Sequence, residues 1–279
     1  MFDNTAEFLK QELAKLGDPK IIAGCPTCRK TLGDSSGREV AGVWDVLNDI
    51  GLPEGATKAH KAASLHDSCG ARGDENTQKA VRKLARTLGV ELIETEYSGD
   101  KSPCCGYGGL VSYANREVAH ELAQSCLERT DAPYITYCMA CRDRFAREGR
   151  ESRHILELVY GTSAGDPPDI SEKRRNRLVL KNSLLKEIWG EDAMEEQLDF
   201  PLDITEEARV QMDERMILDT DVIAVMRAYR ETGDAVLDSG SELLITRHRI
   251  GNVTFWVKFE EQGAGYVVCG AYSHRMTVN

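Results

Sequence analysis

Nine cysteines stand in a chain of 279 residues, and seven of them fall at four places before residue 142: Cys25 with Cys28, Cys69, the doublet Cys104-Cys105, and Cys138 with Cys141. Thiols kept in a reducing compartment serve as metal ligands or redox groups more often than as disulfides. A Cys-x-x-Cys pair offers two sulfurs to one centre from a single turn, and two such pairs complete the tetrahedral set of a structural zinc site. Cys104 and Cys105 fit that plan poorly, because neighbouring side chains in extended backbone point to opposite sides. Such a doublet suits a multinuclear cluster, or a single ion held by an unusual turn. Gly106, Gly108 and Gly109 follow directly, permitting positive φ and letting backbone N–H groups approach thiolate or sulfide. Five thiolates on one zinc ion would leave three excess negative charges in a buried site, whereas an iron–sulfur cluster spreads charge over several irons. Iron is therefore favoured, with zinc as the alternative.

Other residues carry weaker signals. His66, three positions before Cys69, is placed to donate a hydrogen bond to cluster sulfur or a proton to a substrate thiolate, and serves equally well as a satisfied structural histidine. Arg72 and Arg142 follow cysteines and are candidates to offset thiolate charge, ordinary surface arginines being the default. Tyr107 reads as a packing residue, as do Cys126 and Cys269, which lack partners at metal spacing. His248 and His274 have no acid or cysteine arranged around them and read as structural. Trp189, Trp256 and the methionines fit apolar stripes. Gly161-Thr162-Ser163-Ala164-Gly165 has the letters of a serine nucleophile elbow, but Pro167-Pro168 forbid the helix that should follow, so it reads as a linker. No Gly-x-Gly-x-x-Gly or phosphate loop is present, which assigns nucleotide or flavin chemistry to another chain.

The elements that must position the cysteines repeat. Residues 5–17 form an amphipathic helix through Phe8, Leu9, Leu13 and Leu16, and Ile21-Ile22-Ala23 a short buried strand running into Cys25. Sliding residues 6–32 onto 119–145 matches Ala6 with Ala119, Leu9 with Leu122, Asp18 with Asp131, Ile22 with Ile135, Cys25 with Cys138, Cys28 with Cys141 and Arg29 with Arg142. Between the copies lie a strand ending at His66, a helix from about Glu75 to Leu88 and a strand near 90–93. This alternation predicts an α/β layer with short parallel strands, its ligands gathered at their carboxyl ends. A complete first copy would carry its own early cysteine and doublet, and this sequence has neither before Cys25.

Gly161 to Ile170 is a turn-rich break. The expected organisation is a cysteine-rich domain at 1–160, a linker with a basic helix at 161–204, and a smaller α+β domain at 205–279. The basic helix, Ser171 to Trp189, carries Leu178, Leu180, Leu184, Leu185 and Ile188 as apolar positions, and reads as a docking element or a solvated face. Beyond it come helices near 206–214 and 221–232, then strands at 243–249, 253–260 and 266–272. The alternation of Val253, Phe255, Val257 and Phe259 marks a half-exposed antiparallel meander.

Composition narrows the functions. Forty-six acids against thirty-five bases give a net charge of −11, which offers no broad attraction to nucleic acid or an anionic membrane surface. No apolar run approaches the ~18 residues that cross a bilayer. The first residues, Met1-Phe2-Asp3-Asn4-Thr5-Ala6-Glu7, lack the basic-then-apolar order of a secretory signal, so a cytoplasmic location is expected.

His66-Asp67-Ser68-Cys69, Cys104-Cys105-Gly106-Tyr107-Gly108-Gly109 and Thr136-Tyr137-Cys138-Met139-Ala140-Cys141 together resemble the cysteine-rich CCG domain. That domain occurs in the B subunit of heterodisulfide reductase, in iron–sulfur subunits of glycolate and lactate oxidation, and in some quinone reductases. The resemblance covers about residues 5–158. It implies a noncubane [4Fe–4S] cluster held by Cys69, Cys104, Cys105, Cys138 and Cys141, with one sulfur bridging two irons and Gly106 beside it. Family members usually contain two such motifs; here the first keeps only Cys25 and Cys28, a remnant pair, so one cluster is expected. The late start suggests a piece of a longer polypeptide, or a subunit whose partner supplies the missing half. Residues Arg175 to Glu191 and Asn252 to Met276 resemble C-terminal parts of multidomain flavin and iron–sulfur oxidoreductases.

The expected function is a redox module that passes electrons between a flavin or iron–sulfur partner and either a disulfide-type substrate or a further carrier, with the cluster and His66 as the site. The competing expectation is a non-catalytic assembly module with a structural zinc site.

Overall fold

A computed structural model of the chain describes residues 2–56, 62–191 and 198–275. Met276, the end of the second tail likeness, lies outside the described residues, as does Met1. The chain forms two compact units, Met1–Pro167 and Pro168–Asn279.

The first unit runs α1 (Phe2–Lys15), β1 (Ile21–Ala23), α2 (Pro26–Ser36), β2 (Val40–Gly42), α3 (Val43–Ile50), β3 (Ala62–His66), α4 (Glu75–Thr87) and β4 (Glu91–Ile93). It continues through α5 (Val111–Ala114), α6 (Arg116–Leu127), β5 (Tyr134–Thr136), α7 (Met139–Arg147), β6 (Ser152–His154) and α8 (Ile155–Tyr160). Strands β1 and β2 pair in parallel, and β4-β3-β5-β6 form a second, wholly parallel sheet. Four successive residues of β3, Ala63 to His66, are buried, as they must be in a parallel strand covered on both faces. Helix α4 starts because the Asp74 carboxylate accepts the Thr77 N–H at 3.0 Å. Its Val81, Leu84 and Ala85 pack with Leu65, Trp44, Tyr137 and Ile155 into the main core. Three strands lead into cysteine turns, β1 to Cys25, β3 to Cys69 and β5 to Cys138, which sets the cysteines at the strands' carboxyl ends.

The repeat extends further than residue identities reveal. The order α1-β1-α2-β2-α3 recurs as α6-β5-α7-β6-α8. Ile21 to Ala23 pair with Val40 to Gly42 as Tyr134 to Thr136 pair with Ser152 to His154. The helix that follows starts in the same way in each copy. The Gly42 N–H donates to Asp45, and the His154 N–H donates to Glu157.

The second unit begins with α9 (Ile170–Leu184), capped by Asp169, whose carboxylate accepts the Glu172 N–H at 2.6 Å. There follow β7 (Leu202–Ile204), α10 (Glu206–Arg215), α11 (Asp219–Thr232), β8 (Val236–Leu237), β9 (Leu244–Ile250), β10 (Val253–Gln262) and β11 (Gly265–His274). The sheet order is β7-β11-β10-β9-β8, with β9, β10 and β11 the antiparallel meander read from the sequence. Val257, Phe259 and Val268 pack on Met212, Val222 and Met226. The three-residue edge strand β7 pairs in parallel with β11 and was too short to read from periodicity. Trp189 departs from expectation. It leaves 60% of its surface exposed, and Leu178, Leu180, Leu184 and Ile188 are exposed as well. Trp256 stacks on Tyr272 and donates its indole N–H to His274. No helix among the described residues is long and apolar enough to cross a membrane.

Candidate functional site

Each cysteine turn is built by its own local device. Cys138 is the N-cap of α7 in extended backbone (φ −135°, ψ 117°), and the amides of Ala140 and Cys141 face its sulfur. Cys69 opens a single turn of 3-10 helix, Cys69–Ala71, straight after β3. The doublet is held from both flanks. The Arg72 guanidinium donates to the Ser102 carbonyl at 2.8 Å, and the Gly106 N–H turns back to Cys104 Sγ at 3.4 Å. Gly106 sits at φ +82°, and a Cβ there would meet the Ala119 carbonyl of α6 at 2.4 Å, so both the conformation and the close approach demand glycine. Gly109 also takes positive φ, whereas Gly108 does not.

These devices bring the sulfurs into one series. Cys69 is electrostatically coupled to Cys104, Cys104 to Cys105, Cys105 to Cys141, and Cys141 to Cys138. All five sequence-predicted ligands are in the series, and a sixth thiol, Cys25, joins it at Cys138. Among the described residues no group of three or more His, Cys, Asp or Glu side chains is placed to hold a metal ion. All nine cysteines are free.

Proton sharing along the series alternates. Hydrogen bonds from Cys105 and Cys69 hold Cys104 far below the usual thiol range, and those from Cys141 and Cys25 do the same for Cys138. Their donors move the other way. Cys69 is raised by its hydrogen bond to Cys104 and by burial, and Cys105 is pushed up to about 12, chiefly by Cys104. Cys141 rises through its bonds with Cys105 and Cys138 and through burial. Without a cation, neighbouring thiols resist ionising together. Cations supply what full ionisation needs, and in this respect the donor set fits a metal centre.

His66 is 4% exposed, and burial lowers it to about 4 against the pull of Asp67, Cys138 and Cys104. Its ring meets Phe145 edge-on with centroids 4.8 Å apart. Its Nε2 is buried without a hydrogen-bond partner, as is Ser68 Oγ two residues on. Orphaned buried polar atoms are costly, and these lie in the segment that delivers Cys69.

The residues between the ligands act as ties. Asp67, fully buried, accepts from both terminal nitrogens of Arg82 (2.6 and 2.9 Å), from the Gly99 N–H (2.6 Å) and from the Tyr137 hydroxyl (2.9 Å). One carboxylate thus joins the turns bearing Cys69 and Cys138 to the loop leading to the doublet. Sequence reading missed this role, because Arg82 lies on α4 with no signal linking it to Asp67. Arg142 donates to the Gly165 carbonyl and pairs with the Asp143 carboxylate at 3.3 Å, and Arg72 donates to the Ser102 carbonyl. His154 is satisfied, since its Nδ1 accepts the Leu156 N–H, and burial lowers it. Cys126 packs with Cys105, Tyr134, Cys141 and Phe145, and donates to the Cys104 carbonyl. Tyr107 packs against the same group. Residues 162–164 form no helix after Gly161, consistent with a linker.

A cavity of about 470 Å³ opens onto the end of the sulfur series, lined by Cys25, Cys138, Met139, His154, Leu156 and Tyr160 among others.

Residues 63–145 match the family model of the CCG cysteine-rich domain, in agreement with the resemblance carried by the cysteine motifs. The chain is 23% identical over 152 residues to the protein named Lactate utilization protein A of Oceanobacillus iheyensis. That match takes in 50% of this chain and 61% of the relative. No solved structure matches the chain.

Proposed function

We propose that the first unit is an iron–sulfur redox module whose cluster, a [4Fe–4S] centre of the noncubane kind, is held by Cys69, Cys104, Cys105, Cys138 and Cys141. The observation that supports this reading is the packing of Cys105, Cys141 and Cys138 into one cluster of side chains, with Cys104 and Cys69 electrostatically coupled to it. Five thiols suit several irons better than one zinc ion, which takes four donors. When bound, such a cluster takes up and gives back electrons.

The protein's own groups supply the setting. The amides of Gly106 and Tyr107 face the doublet sulfurs, and hydrogen bonds to cluster sulfur raise the reduction potential. His66 Nε2, unpartnered and buried, would be free to donate a corresponding bond. Asp67, through Arg82 and Tyr137, keeps the turns in register. The module works in the cytoplasm within a larger oxidoreductase, receiving electrons from a flavin or iron–sulfur partner. It delivers them to a further carrier or a disulfide-type substrate. The relative's name points to the use of lactate as the setting for that electron flow.

Anaerobic purification with iron, zinc and acid-labile sulfide counted per chain, and an electron paramagnetic resonance spectrum, tests the reading. Several irons with matching sulfide and a paramagnetic signal are expected. One equivalent of zinc with no sulfide would instead favour a structural site in an assembly module.

A further inference from the structure

We infer that the exposed end of α9 pairs antiparallel with the same helix of a second copy of the chain, about a two-fold axis passing beside Leu184. The ties of α9 to its own unit lie at its start. The Ile170 N–H donates to Asp213 at 2.8 Å, the Asp219 N–H donates to Ser171 Oγ at 3.1 Å, and Arg175 pairs with Asp219 at 3.2 Å. Of the helix's described side chains, Ser171 alone is buried. The helix then runs on into a single π turn, Leu185–Trp189. Along this stretch Leu180, Leu184 and Ile188 leave between 38% and 62% of their surfaces exposed. A helix of this length is marginal in water without a packed face, and apolar side chains grouped in the open mark an interaction site.

The order of residues along that face points to the partner. Leu180, Leu184 and Ile188 stand four apart and share one side, with Arg177 and Lys181 toward the start and Glu187 toward the end; Glu191 follows just past the helix. Equal steps outward from Leu184 set Leu180 against Ile188, Lys181 against Glu187 and Arg177 against Glu191 when the facing helix runs the opposite way. Each apolar position meets an apolar one and each base meets an acid, twice over by symmetry. A parallel partner would set Arg177 on Arg177 and Glu187 on Glu187, which repel. An anionic bilayer fits less well, because Glu187 and Glu191 flank Ile188 and the chain as a whole carries a charge of −11. One short helix pair falls well below the ~1,600 Å² of a stable complex, so the dimer is weak and depends on concentration.

Sedimentation equilibrium of the full chain from about 1 to 200 μM tests the inference, and a dissociation constant of roughly 1–100 μM is expected. Leu184→Asp sets two carboxylates against each other on the axis and should leave only monomer. Lys181→Glu and Glu187→Lys should each weaken self-association about 10-fold or more, because both put like charges face to face. Mixed in equal amounts, these two chains should pair with parental strength, and the double variant Lys181→Glu/Glu187→Lys should do so by itself. That recovery would not follow from misfolding or from a contact elsewhere on the surface. A parental chain that stays monomeric throughout, a dimer indifferent to Leu184→Asp, or charge variants that do not recover on mixing would overturn the inference. A monomer that instead binds phosphatidylglycerol vesicles through Ile188 would also overturn it, and would assign the helix to a membrane surface.

Discussion

The two Cys-x-x-Cys turns have nearly the same backbone and different surroundings. Cys25 caps α2 at φ −137°, ψ 130°, and Cys138 caps α7 at φ −135°, ψ 117°. Each follows a three-residue strand, and each is followed by a parallel partner strand and another helix. Yet Cys141 is 2% exposed against Cys105, while its counterpart Cys28 is exposed. Strand β5 lies inside a four-stranded sheet, whereas β1 belongs to a two-stranded one. Backbone geometry therefore presents sulfur in the same way twice, and packing alone decides what each sulfur meets. Tyr137 of the second copy bonds the buried Asp67–Arg82 pair, whereas Arg29 of the first copy bonds Asp74, a partly exposed pair.

That contrast is open to attack, first through Asp67. Removing one partner of a buried charge pair leaves the other stranded, so Asp67→Ala should cost about 3–5 kcal/mol, measured by urea unfolding of the metal-free protein. The Arg29–Asp74 pair of the first copy is partly exposed, and Arg29→Ala should cost about 1 kcal/mol. Equal losses would erase the distinction.

Acid probes the buried segment leading to Cys69 next. His66 is lowered to about 4 by burial, so between pH 6.5 and about 4 the unfolded chain binds a proton that the folded chain refuses. Stability contributed by neutral His66 is whole above pH 6.5 and falls by about 3 kcal/mol as the pH drops through that window, with no further loss below it. The difference in unfolding free energy between the parent and His66→Phe, both metal-free, should carry this slope. A pH-independent difference would mean that His66 titrates normally.

Gly70→Ala attacks the junction between the copies. Overpacking against Thr27 should cost about 1–3 kcal/mol, measured by urea unfolding of the metal-free protein. The smallest effect is expected at Cys28→Ser, within about 0.5 kcal/mol and with unchanged iron content.

Much of this was legible in the sequence. The strand positions followed from short apolar runs such as Ile21 to Ala23, and the five candidate ligands came from the ordered Cys69, Cys104-Cys105 and Cys138/Cys141 set. The repeat was visible through residue 32, where identities fade although the fold continues through β2 and α3. From there the copies share only pairing and capping, which any apolar or acidic residue at the right place provides. Asp67 looked like a neighbour of His66 because nothing local names Arg82 or Tyr137 as its partners. The exposed Trp189 was misjudged because helical spacing of apolar residues does not reveal whether anything covers them.

The most direct test compares two buried cysteines of one small cluster of packed side chains. Cys105 has its sulfur between those of Cys104 and Cys141, whereas Cys126 reaches only the Cys104 carbonyl. After anaerobic purification, Cys105→Ala should lose iron, sulfide and the paramagnetic signal together, while Cys126→Ala keeps all three at parental levels. A Cys105→Ala protein with parental iron and an unchanged spectrum would contradict the account at its centre.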